Sequence, residues 1–380
     1  MDRSEIKEKI AALGEVDILV GIPSYNSAKT IVHVVKAVEA GLSKYFPHCK
    51  SLLVNSDGGS SDGTMEAVRE TTVDLESILV NRKADQFRKF VTPYHGIPGK
   101  GSAFRTIFEI AHALNVKACV VVDSDLRSIT PEWIELLVKP VLEDHYDYVS
   151  PYYMRHKYDG TITNSIVYPL TRALYGKQIR QPIGGDFGFS GELASFYLTK
   201  DVWETDVARF GIDIWMTTTA VANGFKICQA FLGAKIHDAK DPSSDLSAML
   251  HQVVSSVFNL MEEYAGVWHD IKQSEPVKTF GFVYSVGLEP IHVNLENMIE
   301  KFRIGVRDLD VLYKAFLPGE LLGTLHRLAE APKEAFTFPD RNWVWLIFHF
   351  ALACHRRVMS TEHIIKSLTP LYLGKVASFV

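Results

Sequence analysis

Short apolar runs alternate with longer amphipathic segments over residues 1–240 of the chain. Five runs are bounded by charged residues, glycine or proline, as is typical of buried strands, at 17–22, 51–55, 118–122, 146–150 and 226–231. Helical periodicity occupies the intervals, over 1–13, 28–45, a short segment that ends near 69, 101–114 and 131–142. Strands that alternate with helices of about 10–15 residues predict a mostly parallel α/β sheet.

Polar side chains follow three of these predicted strands at the point where each strand ends. They are Pro23, Ser24, Tyr25 and Asn26 after the first strand, Ser56 and Asp57 after the second, and Asp123, Ser124 and Asp125 after the run 118–122. In open parallel sheets, ligands bind in a crevice at the carboxyl ends of the strands. The three polar tails therefore predict one ligand-binding crevice.

The pattern changes after residue 240, where helical segments replace the alternation. We predict them at 246–264, 293–302, 309–317, 321–328, 343–356 and 361–371. The chain is therefore divided into an α/β domain over 1–240, which carries the chemistry, and a helical region over 241–380. The helical region is expected to pack on the first domain or to make an oligomer contact, and its apolar helices favour a homodimer.

The composition is that of an ordinary globular protein, with 47% apolar and 22% charged residues in 380. A net charge of -5 without a basic block argues against nucleic-acid binding. The most apolar stretch, 344–354, is too short for a transmembrane segment, which needs about 20 residues. The four cysteines form no CxxC pair and suit free thiols, and the charged N-terminus does not resemble a signal peptide. A cytoplasmic location is expected.

The sequence Asp123-Ser124-Asp125 is the strongest chemical signal in the chain. It follows an apolar strand directly, so both carboxylates can point toward the crevice. Two hard oxygen ligands suit Mg²⁺ or Mn²⁺, with phosphate oxygens and water completing the coordination shell. A metal at this position would offset the charge on a leaving diphosphate. The structural alternative is a solvated turn with a helix N-cap.

Two glycine-rich segments each lead into a predicted helix. Residues 96–103 contain Lys100, and their glycines let the backbone approach an anion at a helix N-terminus, although no Walker A sequence is present. Residues 181–192 contain Gly184, Gly185 and Asp186, and they could shape an acceptor pocket with Asp186 near the reacting group. A plain loop-to-helix junction and a tight turn are the respective structural alternatives.

Asp213 lies between apolar neighbours at the predicted start of a helix. Its carboxylate suits the positive end of the helix dipole, which is a structural role. It could equally hold or activate an acceptor hydroxyl. The residues alone leave both interpretations open.

These motifs, taken in order, resemble a known family. VGIPSYNSAKTI, NSDGGSSDGT, PGKG and VVDSDL resemble the nucleotide-sugar half of GT-A glycosyltransferases. IRQPIGGDFGFSGEL, FGIDIWMTTTAVANG and LGAKIHDAKDPSSDLSAMLHQV resemble the retaining enzymes glucosyl-3-phosphoglycerate synthase and mannosyl-3-phosphoglycerate synthase. The resemblance runs from about residue 16 to 257. It implies a GT-A fold and a UDP- or GDP-hexose donor.

The resemblance also implies roles for individual positions. Donor contacts fall on Pro23, Ser24, Tyr25, Asn26, Ser56, Asp57, Lys100, Asp123, Ser124 and Asp125. Metal ligation falls on Asp125 and His237, with Asp123 beside them. The reacting sugar would lie next to Gly184, Asp186 and Asp213, although the family has a glutamate where this chain has Asp213. Acceptor contacts fall on Thr161, Thr163, Asn164, Gly184 and Gly185.

One departure from the family concerns the acceptor. The phosphoglycerate enzymes have an arginine two residues before the position of Thr163, whereas this chain has Thr161 there. Threonine cannot offer the charged, bidentate recognition of phosphate that arginine provides. Unphosphorylated glycerate is therefore the expected acceptor, unless Arg155, Lys157 or Arg180 supplies the missing charge.

The leading hypothesis is retaining transfer of glucose or mannose from a nucleotide diphosphate sugar to D-glycerate or 3-phosphoglycerate. Retaining transfer needs no base behind the acceptor, which fits a site rich in metal ligands and poor in obvious bases. One alternative is a GT-A transferase with a saccharide or lipid-linked acceptor. Another is a non-catalytic nucleotide-sugar binding protein.

Overall fold

A computed structural model describes residues 10, 12–71, 87–94, 96–236, 246–285, 287 and 293–380. By their internal contacts, the described residues form two compact units, each discontinuous in sequence. The sheet unit falls within Met1–Met154, Thr171–Asp238 and Ile271–Leu288. The helical unit falls within Arg155–Leu170, Ala239–Asp270 and Glu289–Val380. The sequence-based division placed a single boundary at residue 240. In the structure, Arg155–Leu170 belongs to the helical unit and Ile271–Leu288 belongs to the sheet unit.

Ten strands occur in the described part of the sheet unit. They are β1 Ile18–Ser24, β2 Ser51–Asp57, β3 Phe87–Pro93, β4 Ala118–Val121, β5 Tyr148–Met154, β6 Lys177–Gln178, β7 Phe187–Ser190, β8 Ile227–Ala234, β9 Glu275–Pro276 and β10 Thr279–Phe280. Eight of them form one sheet in the order β10-β8-β5-β7-β4-β1-β2-β3, and β6 pairs with β9.

Fourteen α-helices are described. They are α1 Ile31–Tyr45, α2 Thr64–Glu70, α3 Lys100–Ala113, α4 Pro131–Leu142, α5 Tyr168–Tyr175, α6 Gly191–Leu198, α7 Ile212–Ala222, α8 Ser247–Glu263, α9 Ala265–Trp268, α10 Leu295–Asp308, α11 Asp310–Lys314, α12 Gly319–Glu330, α13 Asp340–His355 and α14 Thr361–Phe379. A π-helix, Thr163–Val167, precedes α5, and short 3₁₀ turns occur at Asp206–Ala208 and Lys333–Ala335.

The large sheet is mostly parallel. Neighbouring strands run parallel throughout, except that β7 runs antiparallel to both β4 and β5. The chain adds β2 and β3 on one side of β1 and β4 on the other, so a topological switch point lies between β1 and β4. Strands β1, β2 and β4 are buried along their whole length. The predicted α/β class is confirmed.

Five of the ten described strands were not predicted: the two-residue strands β6, β9 and β10, and the longer strands β3 and β7. Strand β3, with the sequence FRKFVTP, carries charged residues and only two fully buried positions, so it lacks a long apolar run. Strand β7, with the sequence FGFS, lies inside the segment that we predicted as a glycine-rich loop. Strand β3 is polar and strand β7 is short, so neither sequence by itself indicates a strand. Both form strands because they pair with neighbouring strands in the sheet. Strand β2 also extends to Asp57, so Ser56 and Asp57 belong to the sheet rather than to the following loop.

The helical unit confirms the predicted helices after residue 240. Helices α8 and α10–α14 correspond to the six predicted segments, with ends shifted by up to eight residues. Helices α10 and α14 pack closely, since a Cβ atom on Gly305 would lie 2.2 Å from Pro370 and one on Gly374 would lie 2.2 Å from Phe302. None of the described helices has the length and apolar character that crossing a membrane requires. The predicted helix 1–13 lies almost wholly outside the described residues.

Candidate active site

The candidate site lies at the edge of the sheet where the parallel strands end. Strand β7 is antiparallel to β4, with Val121 opposite Phe187, so the start of β7 reaches the same edge as the end of β4. The backbone N–H of Asp123 donates a hydrogen bond of 2.8 Å to Asp186 Oδ1. Two predicted site residues that are distant in sequence are thereby in direct contact.

Five charged side chains form what we call the charge cluster: Lys100, Asp123, Asp186, Asp213 and Lys235. Lys100 Nζ lies 2.8 Å from Asp123 Oδ1 and 3.3 Å from Asp213 Oδ1. Lys235 Nζ lies 2.8 Å from Asp123 Oδ2 and 2.7 Å from Asp186 Oδ2. Asp123 is the most exposed member, with 21% of its side chain accessible. Each oxygen of the Asp123 carboxylate therefore has its own lysine partner.

The electrostatics of the cluster divide its carboxyl groups into two kinds. Burial alone would raise the pKa of Asp123, but Lys100 and Lys235 outweigh it and hold that pKa far below its usual range. Burial would likewise lower the pKa of Lys100, but Asp123 and Asp213 raise it above its usual range. For Asp213, burial is the larger effect and raises the pKa despite the nearby Lys100. Asp123 is therefore a firmly ionised anchor, whereas Asp213 retains its proton to a higher pH.

The loop that carries Gly184 and Gly185 reaches Asp123 because both residues lack a side chain. A Cβ atom on Gly184 would lie 2.1 Å from Pro151 Cγ. Gly185 has φ +90°, and a Cβ atom there would lie 2.2 Å from Asp123 Oδ2. The Gly184 carbonyl accepts a hydrogen bond of 2.8 Å from Lys235. The tight structural turn and the functional interpretation of this segment are thus compatible.

The side chain of Gln181 fixes the beginning of the same loop. It accepts from the backbone N–H of Tyr153 at 2.9 Å and donates to the Tyr153 carbonyl at 3.1 Å. The Tyr153 hydroxyl in turn donates to Asp186 Oδ2. Strand β5 therefore holds the loop at both of its ends.

The predicted donor residues at the ends of β1 and β2 are bound to one another. Asp57 accepts from Ser24 Oγ at 2.7 Å, from Gly59 N at 2.9 Å and from Ser60 N at 2.7 Å. Asn26, in the left-handed region with φ 50°, accepts from the backbone N–H of Ser61 at 3.0 Å. These contacts give Asp57 and Asn26 a role in shaping the loops.

Of the other predicted donor residues in this region, Tyr25 lies on the surface, whereas Pro23 and Ser56 are buried. Tyr25 is 66% exposed, and its ring and that of Tyr94 both lie close to Gly58. Pro23 is paired in register with Ser56, whose buried hydroxyl has no hydrogen-bond partner within the described part of the chain. Tyr25 therefore offers exposed ring surface in this region, and the buried Ser56 hydroxyl is left without a hydrogen-bond partner among the described residues.

Ser124 connects the aspartate pair to the first loop. Its hydroxyl lies 2.9 Å from Ser27 Oγ, and its carbonyl accepts from Thr30 Oγ1 at 2.8 Å. Asp125, one residue later, is partly exposed. The strand end thus presents Asp123 toward the two lysines.

The residues at this strand end fit a hard divalent cation. Asp125 is a partly exposed carboxylate next to the anchored Asp123, and Mg²⁺ is commonly held by one or two carboxylates together with substrate phosphates. The described residues contain no group of three or more His, Cys, Asp or Glu side chains that could form a complete metal site by themselves. The predicted ligand His237 lies outside the described residues.

The predicted acceptor residues are divided between the two units. Gly184 and Gly185 belong to the sheet unit, whereas Thr161, Thr163 and Asn164 belong to the helical unit. The Thr161 hydroxyl is buried and lies 2.5 Å from the Tyr372 hydroxyl. Thr163 and Asn164 begin the π-helix, a conformation that occurs frequently at functional sites.

Two of the alternative cations for an acceptor phosphate, Arg155 and Arg180, lie in different units. Arg155 lies 3.8 Å from Asp159 in the helical unit. The backbone N–H of Arg180 donates to Gln229 Oε1 at 2.6 Å in the sheet unit. The first contact engages the side chain of Arg155, and the second engages only the backbone of Arg180. The role of either guanidinium group toward a ligand stays a prediction.

Lys235, Tyr153 and Tyr94 were not identified from the sequence. Lys235 directly follows β8, so the rule that selected the other strand ends applied to it as well. Tyr153 lies inside β5 and Tyr94 just after β3, where no motif marks either residue. Only Lys235 therefore carried a usable signal.

Solved structures of glucosyl-3-phosphoglycerate synthase from Mycobacterium tuberculosis are similar to this chain. The complex with Mg²⁺ and uridine diphosphate is 22% identical, with 67% of this chain and 83% of that chain covered and a TM-score of 0.48. The complex with Mn²⁺, UDP-glucose and phosphoglyceric acid is 22% identical, with coverages of 69% and 84% and a TM-score of 0.47. No curated protein matches the chain.

A sequence model described as "Mannosylglycerate synthase, GT domain" matches residues 24–259. The match begins at the polar end of β1 and includes every member of the charge cluster. It also spans both glycine-rich segments and the position of His237. It confirms the resemblance drawn from the motifs and the expected enzyme class, and the chain accordingly belongs to the mannosylglycerate synthase family of glycosyltransferases.

Proposed function

We propose that this protein is a metal-dependent, retaining glycosyltransferase that moves glucose or mannose from a UDP- or GDP-hexose to D-glycerate or 3-phosphoglycerate. One observation carries the proposal within the family. The aspartate pair at the end of β4 is in direct contact with the glycine loop, through the hydrogen bond from Asp123 to Asp186. A donor diphosphate and an acceptor bound at those two elements would meet at the charge cluster.

The donor is proposed to lie along the ends of β1 and β2 and the start of α3. The exposed ring of Tyr25, together with that of Tyr94, offers a surface on which a nucleotide base can stack. Lys100 is the first residue of α3, where a helix N-terminus and a cation both favour the diphosphate. Ser24 and Asp57 shape the loops that hold the ribose.

A bound Mg²⁺ or Mn²⁺ would supply charge stabilisation for the departing diphosphate. Asp125, with His237 as a predicted second ligand, would hold it. The partial exposure of Asp125 at the strand end supports this part of the proposal, because its carboxylate can be reached by a cation that arrives with the donor. Asp123, engaged by Lys100 and Lys235, would keep the strand end in place beside it.

The acceptor is proposed to lie against the glycine loop, near Asp186 and Asp213. Asp213 is buried beside Lys100, so its carboxyl group is suited to hydrogen bonding with an acceptor hydroxyl. Retention is compatible with this arrangement because the donor diphosphate can take the acceptor proton. Thr161 stands where the phosphoglycerate enzymes have an arginine, and this loss of a phosphate-binding cation supports D-glycerate over 3-phosphoglycerate.

A donor-by-acceptor panel tests the proposal. UDP-glucose, GDP-glucose and GDP-mannose are each mixed with D-glycerate or 3-phosphoglycerate in the presence of Mg²⁺ or Mn²⁺, and release of the nucleoside diphosphate is followed. We expect turnover with at least one donor, and a higher kcat/KM with D-glycerate. A reaction without either metal, or without acceptor, is the control.

Each other outcome of the panel has a defined meaning. Turnover with 3-phosphoglycerate alone would keep the reaction and show that another cation replaces the missing arginine. Release of free hexose only would point to an acceptor of another class, such as a saccharide or a lipid-linked sugar. Binding of nucleotide-sugar without any turnover would leave a binding protein as the remaining interpretation.

We further propose a homodimer and a cytoplasmic location. Val344 and Phe348, one turn apart on α13, are 51% and 41% exposed and could contribute apolar surface to a dimer contact. The cysteines are free thiols, which suits a reducing compartment. Light scattering that gives the mass of a single chain would refute the dimer, and a tagged chain found outside the cytoplasm would refute the location.

A further inference from the structure

We infer that Lys235 is a positioning residue for glycosyl transfer, whose buried charge holds the glycine loop against the aspartate pair. The inference rests on the proposed function and deepens it. It concerns a residue that binds other parts of the site rather than a ligand. The consequence is that transfer depends on a lysine that lies at the end of β8, outside the DxD motif and both glycine-rich segments.

The contacts of Lys235 join three separate parts of the chain. Its ammonium group lies within hydrogen-bond distance of Asp123 Oδ2 at 2.8 Å, the Gly184 carbonyl at 2.8 Å and Asp186 Oδ2 at 2.7 Å. These three acceptors match the three protons of an ammonium group. They belong to the end of β4, the glycine loop and the residue before β7.

The environment of Lys235 makes its charge, and not its bulk, the important property. Only 2% of its side chain is exposed and none of that of Asp186, so this ion pair lies away from bulk solvent. Asp186 is fully buried, and without Lys235 it would be a buried charge that relies on Tyr153 and a backbone N–H. Buried charges that lose a partner rearrange or take up a proton.

The glycine loop provides the link from Lys235 to the reaction. Gly185 approaches Asp123 so closely that a Cβ atom would lie 2.2 Å from Oδ2 and 2.9 Å from Lys235 Nζ. Such a contact between a backbone and a carboxylate is stable only if the carboxylate is held in one orientation. Lys235 binds the same oxygen and the neighbouring carbonyl, so it fixes both sides of this contact. Displacement of reacting groups by about 1 Å can reduce a rate by about 100-fold.

The test compares Lys235→Met, which keeps the length of the side chain without its charge, with Lys117→Met. Lys117 precedes β4 at the opposite end of the strand and forms an exposed ion pair of 2.9 Å with Asp17. Both variants lose one lysine that is paired with an aspartate. We expect kcat of Lys235→Met to fall about 100-fold, with the KM values for donor and acceptor changed much less. Lys117→Met should keep the wild-type kcat.

A purely structural role is separated by amide hydrogen exchange and by Lys235→Arg. The positioning role predicts faster exchange confined to 181–190 in Lys235→Met, with 51–57 unchanged. It also predicts that Lys235→Arg, which restores the charge, has a kcat between those of the wild type and Lys235→Met. Exchange that rises equally across the sheet unit, or a wild-type kcat in Lys235→Met, would overturn the inference.

Two further outcomes keep the test decisive. If Lys235→Met does not fold, Lys235→Arg is compared with the wild type. A reduced kcat with unchanged binding of UDP and Mn²⁺ then supports the inference, and a wild-type kcat overturns it. If the wild-type enzyme is silent with every donor and acceptor, the proposed function fails. The exchange of 181–190 still decides whether Lys235 positions the loop.

Discussion

Asp123 and Asp125 lie two residues apart but have different surroundings. Both oxygens of Asp123 are paired with lysines at 2.8 Å. Asp125 is partly exposed at the same strand end. A carboxylate that already binds two ammonium groups is a poor candidate for the main metal ligand. We therefore propose Asp125 as the main metal ligand, and ligation by either aspartate stays a prediction.

Asp125→Asn should abolish transfer while the fold is kept. The substitution removes the charge that attracts Mg²⁺ or Mn²⁺, and metal stabilisation of a leaving diphosphate contributes several kcal/mol, or about 1,000-fold in rate. The measurements are kcat and the affinity for UDP in the presence of Mn²⁺, and both should fall. Asp201→Asn, at an exposed position outside the site, is the control. Transfer at a tenth or more of the wild-type rate would remove Asp125 from the metal site.

The protonation of Asp213 has a consequence for stability. Burial raises the pKa of this carboxyl above 3.8 in the folded protein. The folded chain therefore binds the proton more tightly than the unfolded chain does. The contribution of Asp213 to the free energy of unfolding consequently falls as the pH rises from 3.8 through the raised pKa.

Asp213→Asn removes this titration, so the stability of the wild type relative to the variant should decrease with pH across that window. Above the window the difference should stay constant. Chemical denaturation of both proteins at a series of pH values measures it. A difference that increases with pH would show that Lys100 dominates and that the pKa of Asp213 is lowered.

Strand β7 determines how the site is assembled. It is the antiparallel strand between β4 and β5, and its direction carries Asp186 to the edge where Asp123 lies. The sequence FGFS gives little sign of a strand because it is short and contains a glycine and a serine. Its pairing with two neighbours makes it one, which is a long-range effect that local patterns do not contain. The contact between Asp123 and Asp186 was therefore not predictable, although both residues were.

Gly185→Ala should inactivate the enzyme with only a moderate loss of stability. Its φ of +90° disfavours alanine, and the new Cβ atom would lie 2.2 Å from Asp123 Oδ2. The matched control is Gly224→Ala, because Gly224 has φ +78° and a Cβ atom there would have nothing within 4 Å. Both variants should lose about 1 kcal/mol of stability from backbone strain.

Only Gly185→Ala should lose activity, by about 100-fold, because it alone displaces a carboxylate of the site. The measurements are the free energy of unfolding and kcat of each variant. Equal activity in the two variants would show that the close approach of Gly185 to Asp123 has no part in catalysis.

The strand ends were the most predictable part of the site. Ser24, Asp57, Asp123 and Lys100 were found because polar residues or glycines interrupt apolar patterns at those points, and they lie where the parallel sheet places them. Lys235 follows the same rule, but only His237 of that segment was singled out from the sequence. The burial of Lys235 depends on Asp123 and Asp186 arriving from other strands, which no local pattern shows.

The organisation of the whole chain was predicted in outline. The α/β sheet and the later helices are confirmed, but a single boundary at 240 does not describe the two units. The segments Arg155–Leu170 and Ile271–Leu288 each belong to a different unit from the residues that flank them in sequence. Helical periodicity identifies a helix without saying which core it joins. The role of Thr161, Thr163 and Asn164 as acceptor residues consequently remains a prediction.

The most direct test of the account is the structure of the reaction product. The enzyme is incubated with Mn²⁺, D-glycerate and the donor that gives the highest turnover, and the product is examined by NMR for its linkage and anomeric configuration. The account predicts a hexosyl glycerate with the α-configuration of the donor retained. A β-linked product, or free hexose without any glycerate adduct, would contradict it.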